Sequence, residues 1–184
     1  MARTERASSR TARLARRVAG LLPHEGCVFV DAGAICLEVG RQLLARPDLR
    51  IFTHAIPLIA LAADARAVLT GIGGMARGDS GALTGPLAQA WLAHLSFDAA
   101  VIGAEGLDPV KGACAQDPDQ AAIRAEVLRR SAVRVLVAEA KAWGAAAPVP
   151  VAPWSAFTFL VTSDDLPREA RVALGADKVR IHLV

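Results

Sequence analysis

Acidic side chains that could bind a small ligand come directly after short apolar segments of this sequence. Asp31 follows Cys27-Val28-Phe29-Val30, and Glu105 stands between Gly103 and Gly106. A carboxylate accepts hydrogen bonds from the hydroxyl groups of a ligand. Asp31 has a second interpretation, a helix N-cap that accepts backbone amides, and Glu105 could be a solvated loop acid. We favour a ligand role for Glu105 and leave both interpretations of Asp31 open.

Three further side chains could complete the same kind of site. Lys141, one of three lysines, could supply the cation that a phosphate or carboxylate needs, or it could be a surface lysine. His54 could donate to a ligand and titrate near neutral pH, or it could be a histidine with satisfied hydrogen bonds. Asp117 precedes a predicted helix, so it is either an N-cap or a pocket residue.

The spacing of cysteine and histidine predicts no metal site and no cofactor. The four histidines are scattered along the chain, and no Cys-x-x-Cys or His-x-x-x-His pair occurs. The three cysteines, an odd number, favour a reducing compartment over a disulfide framework. We expect Cys36 and Cys114 to be buried thiols rather than nucleophiles.

Composition and charge indicate one globular domain with a basic leading segment. The chain has 184 residues, of which 53% are hydrophobic and 21% charged, so the signature of disorder is absent. The net charge is +3, but the first 22 residues carry +5 (six arginines and one glutamate), which leaves −2 for the rest. The uncharged run 142–163 contains three prolines and is therefore not a membrane-spanning helix. We expect a cytoplasmic protein with no membrane partner.

Short apolar strands alternate with helices along the chain, which predicts an α/β fold with a mostly parallel, Rossmann-like sheet and helices on both faces. The predicted strands are 27–30, 49–52, 67–69, 99–102, 134–137, 157–161 and 179–183. The predicted helices are 8–22, a stretch from Gly33 to about 46, 57–64, 86–95, 118–131 and 167–174. Residues 1–22 are interpreted as a basic linker helix and residues 23–184 as one domain.

In such sheets, ligands bind at the carboxyl ends of the strands. Five segments fall there, namely 31–33, Thr53-His54, Gly71 to Gly74, Gly103 to Gly106 and 138–141, and glycine allows a close approach to an anion. The alternative is that these glycines only turn the chain.

A series of segments, in this order and at these spacings, resembles the sensor domain of the DeoR family of bacterial transcriptional regulators. The most specific is F-D-A-A-V-I-G-A-E-G-L-D at 97–108, which is similar to the family's D-x-A-F-L-G-A-D-G-L-D. The other matching segments are 28–33, 53–56, 73–74, 83–88, 112–117 and 138–144. The resemblance covers roughly residues 12–184.

The resemblance implies the fold of ribose-5-phosphate isomerase, glucosamine-6-phosphate deaminase and CoA transferases. It also implies a non-enzymatic sensor of phosphorylated sugars or related metabolites that forms homo-oligomers and controls an N-terminal helix-turn-helix, usually as a repressor. With the strand-end positions, it gives the expected ligand-binding residues, which are Asp31, Gly33, Ala34, Ile35, Thr53, His54, Gly73, Gly74, Glu105, Asp117 and Lys141.

Two departures from the family pattern change these expectations. Only seven residues precede the helix that begins near Ser8, so we expect a sensor domain without the DNA-reading module, either excised or stand-alone. The arginine face of this helix could touch DNA non-specifically, but we expect it to be solvated, with DNA contacted only through a module outside this chain. The family's D-S-G-T-T loop is replaced after Gly33 by Ala34-Ile35-Cys36, which removes hydroxyl donors, and His54 stands in place of asparagine.

Two other functions stay open at this point. An isomerase- or deaminase-like enzyme could use Glu105, Asp117 and His54 as its acid and base. The other is a degenerate relative that has lost ligand binding and serves only as an oligomerisation module. The altered loop at residues 34–36 is the feature that favours it.

Overall fold

A parallel sheet forms the centre of the protein. The computed structural model describes residues 2–76, 81–176 and 179–184, and within these ranges seven strands form one sheet in the order β12-β11-β9-β6-β1-β2-β3. All its strand pairs are parallel. The strands of the chain are β1 (Gly26–Val30), β2 (Leu49–Thr53), β3 (Val68–Gly71), β4 (Met75–Ala76), β5 (Leu83–Thr84), β6 (Phe97–Gly103), β7 (Gly106–Asp108), β8 (Gly112–Ala115), β9 (Ser131–Val137), β10 (Val149–Ala152), β11 (Phe159–Thr162) and β12 (Arg180–Leu183).

Helices connect the strands of the large sheet. They are α1 (Ala2–Ala19), α2 (Ala34–Leu43), α3 (Ile56–Ile59), α4 (Pro86–Leu92), α5 (Pro118–Arg129) and α6 (Arg168–Ala176). Short 3-10 turns lie at 62–64, 140–142 and 154–156. Within the described ranges, no helix is long and apolar enough to cross a membrane.

Both faces of the sheet are covered, which confirms the predicted α/β class. Alternate residues of β1 point to opposite faces, so Val28 packs in the same cluster as Leu14 and Val39 from α1 and α2. Phe29 packs on the other face in the cluster that contains Ile123 from α5. Because neither face meets water, the central strands are continuous apolar runs rather than alternating ones.

Helix α1 is amphipathic as the sequence predicts. Val18 is fully buried, whereas Arg13 and Arg16 are exposed. Arg10 forms an ion pair with Asp165 at 3.2 Å. Since α1 supplies buried residues to the core, it belongs to the same layer of helices as α2.

In helix α4, the spacing of the large apolar residues wrongly suggests which side chains are buried. The spacing of Leu87 and Trp91 suggests a packed stripe, but these side chains are 59% and 47% exposed. The buried positions are Ala88 and Leu92. A small alanine on the inner face lets the helix lie close to the loop at Gly74, where a Cβ on the glycine would come within 3.2 Å of the Ala88 methyl group.

A small antiparallel sheet of β10, β8 and β7 extends the fold beyond the parallel sheet and was not anticipated. It depends on close backbone packing at Gly112, where φ is +86° and a Cβ would lie 2.2 Å from the carbonyl oxygen of Ala152. Gly144 also has a positive φ, +71°, but a Cβ there would have no described atom within 4 Å.

These two glycines give a matched test of the small sheet. Gly144→Ala should cost only the strain of the left-handed conformation, about 1–2 kcal/mol. Gly112→Ala should cost about 2 kcal/mol more, because the new methyl group also meets a backbone carbonyl that cannot rotate away. Urea unfolding of both variants measures the difference, and equal losses would contradict the close packing at Gly112.

Candidate functional site

A buried carboxylate lies at the carboxyl end of β1. The Asp31 side chain is fully buried, and its Oδ1 lies 2.8 Å from His54 Nε2. Its Oδ2 accepts from the Gly103 amide at 2.9 Å and from Arg124 Nε at 2.8 Å. Burial alone would raise the pKa of Asp31, but the Arg124 charge and the His54 hydrogen bond outweigh it and lower that pKa to about 2. Asp31 is therefore an ionised centre on which the strand ends converge.

Arg124 joins this carboxylate to a second one. It lies on the inner face of α5 and is 2% exposed. Its Nη1 and Nη2 donate to the two oxygens of Glu105 at 2.7 and 2.9 Å, a bidentate pair, and Nη2 also donates to Gln120 Oε1 at 3.1 Å. Burial opposes the charge on Arg124, but Asp31 and Glu105 raise its pKa above the ordinary value. The guanidinium therefore fixes the orientation of the Glu105 side chain.

His54 ties the end of β2 into the same network. It is fully buried, and its Nε2 lies 2.8 Å from Oδ1 of Asp31 and 3.3 Å from the backbone nitrogen of Ala32. Its Nδ1 lies 3.0 Å from the carbonyl oxygen of Leu83, just before α4. The neighbouring Thr53 hydroxyl donates to the Val30 carbonyl at 2.7 Å and accepts from the Ala55 amide at 3.0 Å. His54 and Thr53 thus link the carboxyl end of β2 to that of β1.

A pocket of about 550 Å³ opens above this network, at the carboxyl ends of β1, β6 and β9. Its volume is in the range of small-molecule sites. The polar side chains that line it are Glu105, Arg124, Glu139 and Lys141, and the rest of the lining consists of segments 32–36, 103–104, 137–138, 142 and 145.

The first turn of α2 forms one wall of the pocket. Gly33, at φ +123°, precedes the helix, and no described side chain caps it. The first hydrogen bond within the helix runs from the Leu37 amide to the Gly33 carbonyl at 2.8 Å, so the amides of residues 34–36 have no acceptor inside the helix. These amides, at the positive end of the helix dipole, suit an anion.

The structure brings together five of the residues that the sequence predicted for the site. Gly33, Ala34, Ile35, Glu105 and Lys141 all line the pocket. Asp31, Thr53 and His54 lie beneath it, fully buried, and of the three Asp31 contacts the lining residue Arg124.

The other three predicted residues lie away from the pocket lining. Asp117 is the N-cap of α5, and its Oδ1 accepts from the Gln120 amide at 2.9 Å. Gly73 and Gly74 follow β3 and are absent from the lining that the structure describes. A Cβ on Gly74 would lie 2.6 Å from the Thr84 carbonyl oxygen, so that glycine serves close packing against β5.

Sequence analysis missed Arg124 and Glu139. A signal for Arg124 existed, because it stands three residues after Ala121 and three before Val127, at the spacing of the buried face of α5. A lone arginine on such a face requires buried acceptors. Glu139 lies in the predicted strand-end segment 138–141, but it was not singled out, since a glutamate at a strand end is common on surfaces.

Two of the three cysteines are buried in the structure. Cys36 and Cys114 are buried, as expected, and burial raises the pKa of both thiols. Among the described residues, no group of three or more His, Cys, Asp or Glu side chains is placed to hold a metal ion.

Comparison with known sequences identifies relatives among transcriptional regulators. The family model for the DeoR C terminal sensor domain matches residues 7–164. The uncharacterised HTH-type transcriptional regulator YgbI of Escherichia coli K12 is 26% identical over 173 residues, which cover 94% of this chain and 68% of that protein. The HTH-type transcriptional regulator GlpR of Haloferax volcanii is 28% identical over 147 residues, 78% of this chain and 56% of that protein.

Solved structures support the fold. Ribose 5-phosphate isomerase A from Methanocaldococcus jannaschii superimposes with a TM-score of 0.54 at 11% identity, over 74% of this chain and 54% of that protein. At this identity the likeness concerns the fold alone.

The ion pairs of Arg124 lead to a stability prediction. Arg124→Met should destabilise the protein by about 3–5 kcal/mol, because it leaves the Asp31 charge buried without its cation. Arg129→Met, on the outer face of the same helix, removes only the surface pair with Glu126 and should cost less than about 1 kcal/mol. Urea unfolding compares the two, and a loss at Arg124 no larger than at Arg129 would refute the central role of that cation.

The lowered pKa of Asp31 predicts acid sensitivity. The folded-state pKa of about 2 lies below the ordinary value of 3.8, so the stabilisation is fully present above the unfolded pKa and is lost as pH falls towards the folded one. Its size is about 2 kcal/mol. Asp31→Asn lacks this titration, so its unfolding free energy should fall less than that of the parent between about pH 5 and about pH 2. Equal falls would contradict the assignment.

Proposed function

Because the chain belongs to the DeoR C-terminal sensor domain family, we propose that it binds a phosphorylated sugar or a related small metabolite. The ligand would occupy the pocket at the carboxyl ends of β1, β6 and β9. Its binding would control DNA binding by a helix-turn-helix module attached in the full regulator. The proteins that match this chain carry HTH-type transcriptional regulator in their names.

The orientation of Glu105 is the observation that carries the proposal. Both of its oxygens accept from Arg124, and its side chain is 38% exposed on the pocket side. Each carboxylate oxygen can still accept a second hydrogen bond. A fixed carboxylate of this kind suits the hydroxyl groups of a polyol or sugar, because its position is settled before the ligand arrives.

The anionic end of the ligand would be held by other groups of the same pocket. The backbone amides of residues 34–36 open the first turn of α2, and Lys141 lies on the same pocket. The side chains at 34–36 supply no hydroxyl donors, so backbone amides replace the hydroxyl contacts that the family pattern provides. We expect weaker or altered phosphate recognition as a result.

The route from the pocket to the DNA-binding module would pass through two helices. The first turn of α2 lines the pocket, and the body of α2 packs against α1, with Val39 and Leu43 in one cluster with Leu14 and Val18. A ligand that shifts α2 would therefore shift α1, the helix nearest to an N-terminal module. Homo-oligomer formation, typical of the family, remains a prediction.

A melting-temperature panel tests this function. Sugar phosphates, free sugars and polyol phosphates are added to the protein one at a time, and a true effector at about 100 times its Kd should contribute roughly 2.7 kcal/mol of stability. Conversion of a stabilising compound to a product would favour an isomerase or deaminase over a sensor. A well-folded protein that responds to none of the compounds would refute ligand sensing and favour an oligomerisation module.

Variants then locate the site. Glu105→Gln and Lys141→Ala should each abolish the response to the stabilising compound, because they remove a ligand contact. Glu126→Gln and Lys111→Ala are the matched controls, since both residues lie outside the pocket lining and their variants should respond like the parent. If the pocket variants keep the full response, the ligand binds elsewhere.

A further inference from the structure

We propose that Glu139 sets the affinity of the pocket for anions by competing with the ligand for Lys141. The inference depends on the proposed function of the same pocket and deepens it. It concerns one ion pair, in which Lys141 Nζ lies 3.0 Å from Glu139 Oε2. Both residues line the pocket.

The backbone holds this pair in place. The turn 140–142 follows β9, and the Ala140 amide donates to the Ser163 hydroxyl at 2.9 Å. The Ala142 amide donates to the Glu139 carbonyl at 2.9 Å. Ala140 and Ala142 are buried, whereas the side chains of Glu139 and Lys141 are 22% and 79% exposed. Glu139 and Lys141 therefore project from a fixed turn, and a change of side-chain charge there leaves the fold intact.

Arg124, the other cation of the described lining, already forms ion pairs and hydrogen bonds within the protein. Its Nε donates to Asp31, and its two terminal nitrogens donate to Glu105 and Gln120. Turning this guanidinium towards a ligand would expose two carboxylates to each other without their cation, which is costly in a buried site. Lys141 is exposed and flexible, so it is the cation that can approach a ligand anion.

The charges of the lining explain why Glu139 matters. Glu105 and Glu139 carry two negative charges, and Arg124 and Lys141 carry two positive ones. A ligand anion that enters this balanced pocket must share Lys141 with Glu139, and it is repelled by Glu139 as well. Both effects have the same sign, so neutralising Glu139 strengthens anion binding. The repulsion grows with ligand charge, and Glu139 thus disfavours dianions more than monoanions.

Titration calorimetry with inorganic phosphate tests the inference on the full chain. Glu139→Gln keeps the shape of the side chain and removes its charge, and it should tighten phosphate binding by about two- to fivefold, the range of partly exposed ion pairs. When Lys141→Gln is compared with the double variant Glu139→Gln/Lys141→Gln, the gain should be clearly smaller, because the contested cation is gone and only the repulsion by Glu139 is removed. The control is Glu38→Gln, which changes the net charge equally on α2, where Glu38 pairs with Arg41 at 4.0 Å, and should match the parent.

The outcomes separate this inference from the proposed function. Equal or weaker phosphate binding by Glu139→Gln overturns the competition while leaving a ligand pocket in place, as does a gain of the same size in Glu38→Gln. If neither the parent nor any variant binds phosphate, the inference fails. The proposed function fails as well only if no compound of the melting-temperature panel binds. A gain of undiminished size in the Lys141→Gln background also overturns the inference, because Glu139 would then not compete with the ligand for that lysine.

Discussion

The guanidinium of Arg124 lies between two carboxylates from different strand ends, and the candidate site depends on this buried cation. Asp31 closes β1, Glu105 follows β6, and Arg124 reaches both from α5. Taking these charges out of water is costly, and the cost is offset only because every member is hydrogen-bonded. Within the site, Asp31 also accepts a hydrogen bond from the Gly103 amide and is paired with His54. The network therefore fixes where three strand ends and one helix meet.

The buried network separates the residues that hold the site in shape from those that could contact a ligand. Residues below the pocket provide geometry, since Asp31 and His54 are fully buried and cannot meet a ligand directly. Residues on the rim provide chemistry, because Glu105 and Lys141 face open space. In the proposed site, the backbone amides of residues 34–36 are the groups of α2 that would bind an anion. With no hydroxyl donors beside them, the balance between Lys141 and Glu139 would have more influence on that binding.

The large sheet was predictable because its strands are buried on both faces. Continuous apolar runs such as 27–30 and 99–102 leave little choice of structure, and each lies within an observed strand. The small sheet of β7, β8 and β10 was not predictable, since its strands are only three or four residues long, and α5 and β9 separate β8 from its partner β10 in the sequence. The inner face of α4 was equally hidden. There the buried residues are Ala88 and Leu92 rather than Leu87 and Trp91, because close approach to the loop at Gly74 favours the small side chain.

The sequence alone determined the order along the chain of the large sheet's strands and the helices between them, the family, and the strand ends at which polar residues collect. Hydrophobic runs and local motifs are contained in short stretches of chain, so they can be read without coordinates. Only the tertiary structure decided which of those polar residues face the pocket. It placed Asp31 and His54 below, Glu105 and Lys141 on the rim, and Asp117 at a helix cap. Arg124 binds Asp31 from 93 residues away, and the burial of a charge depends on such distant partners rather than on its neighbours in sequence.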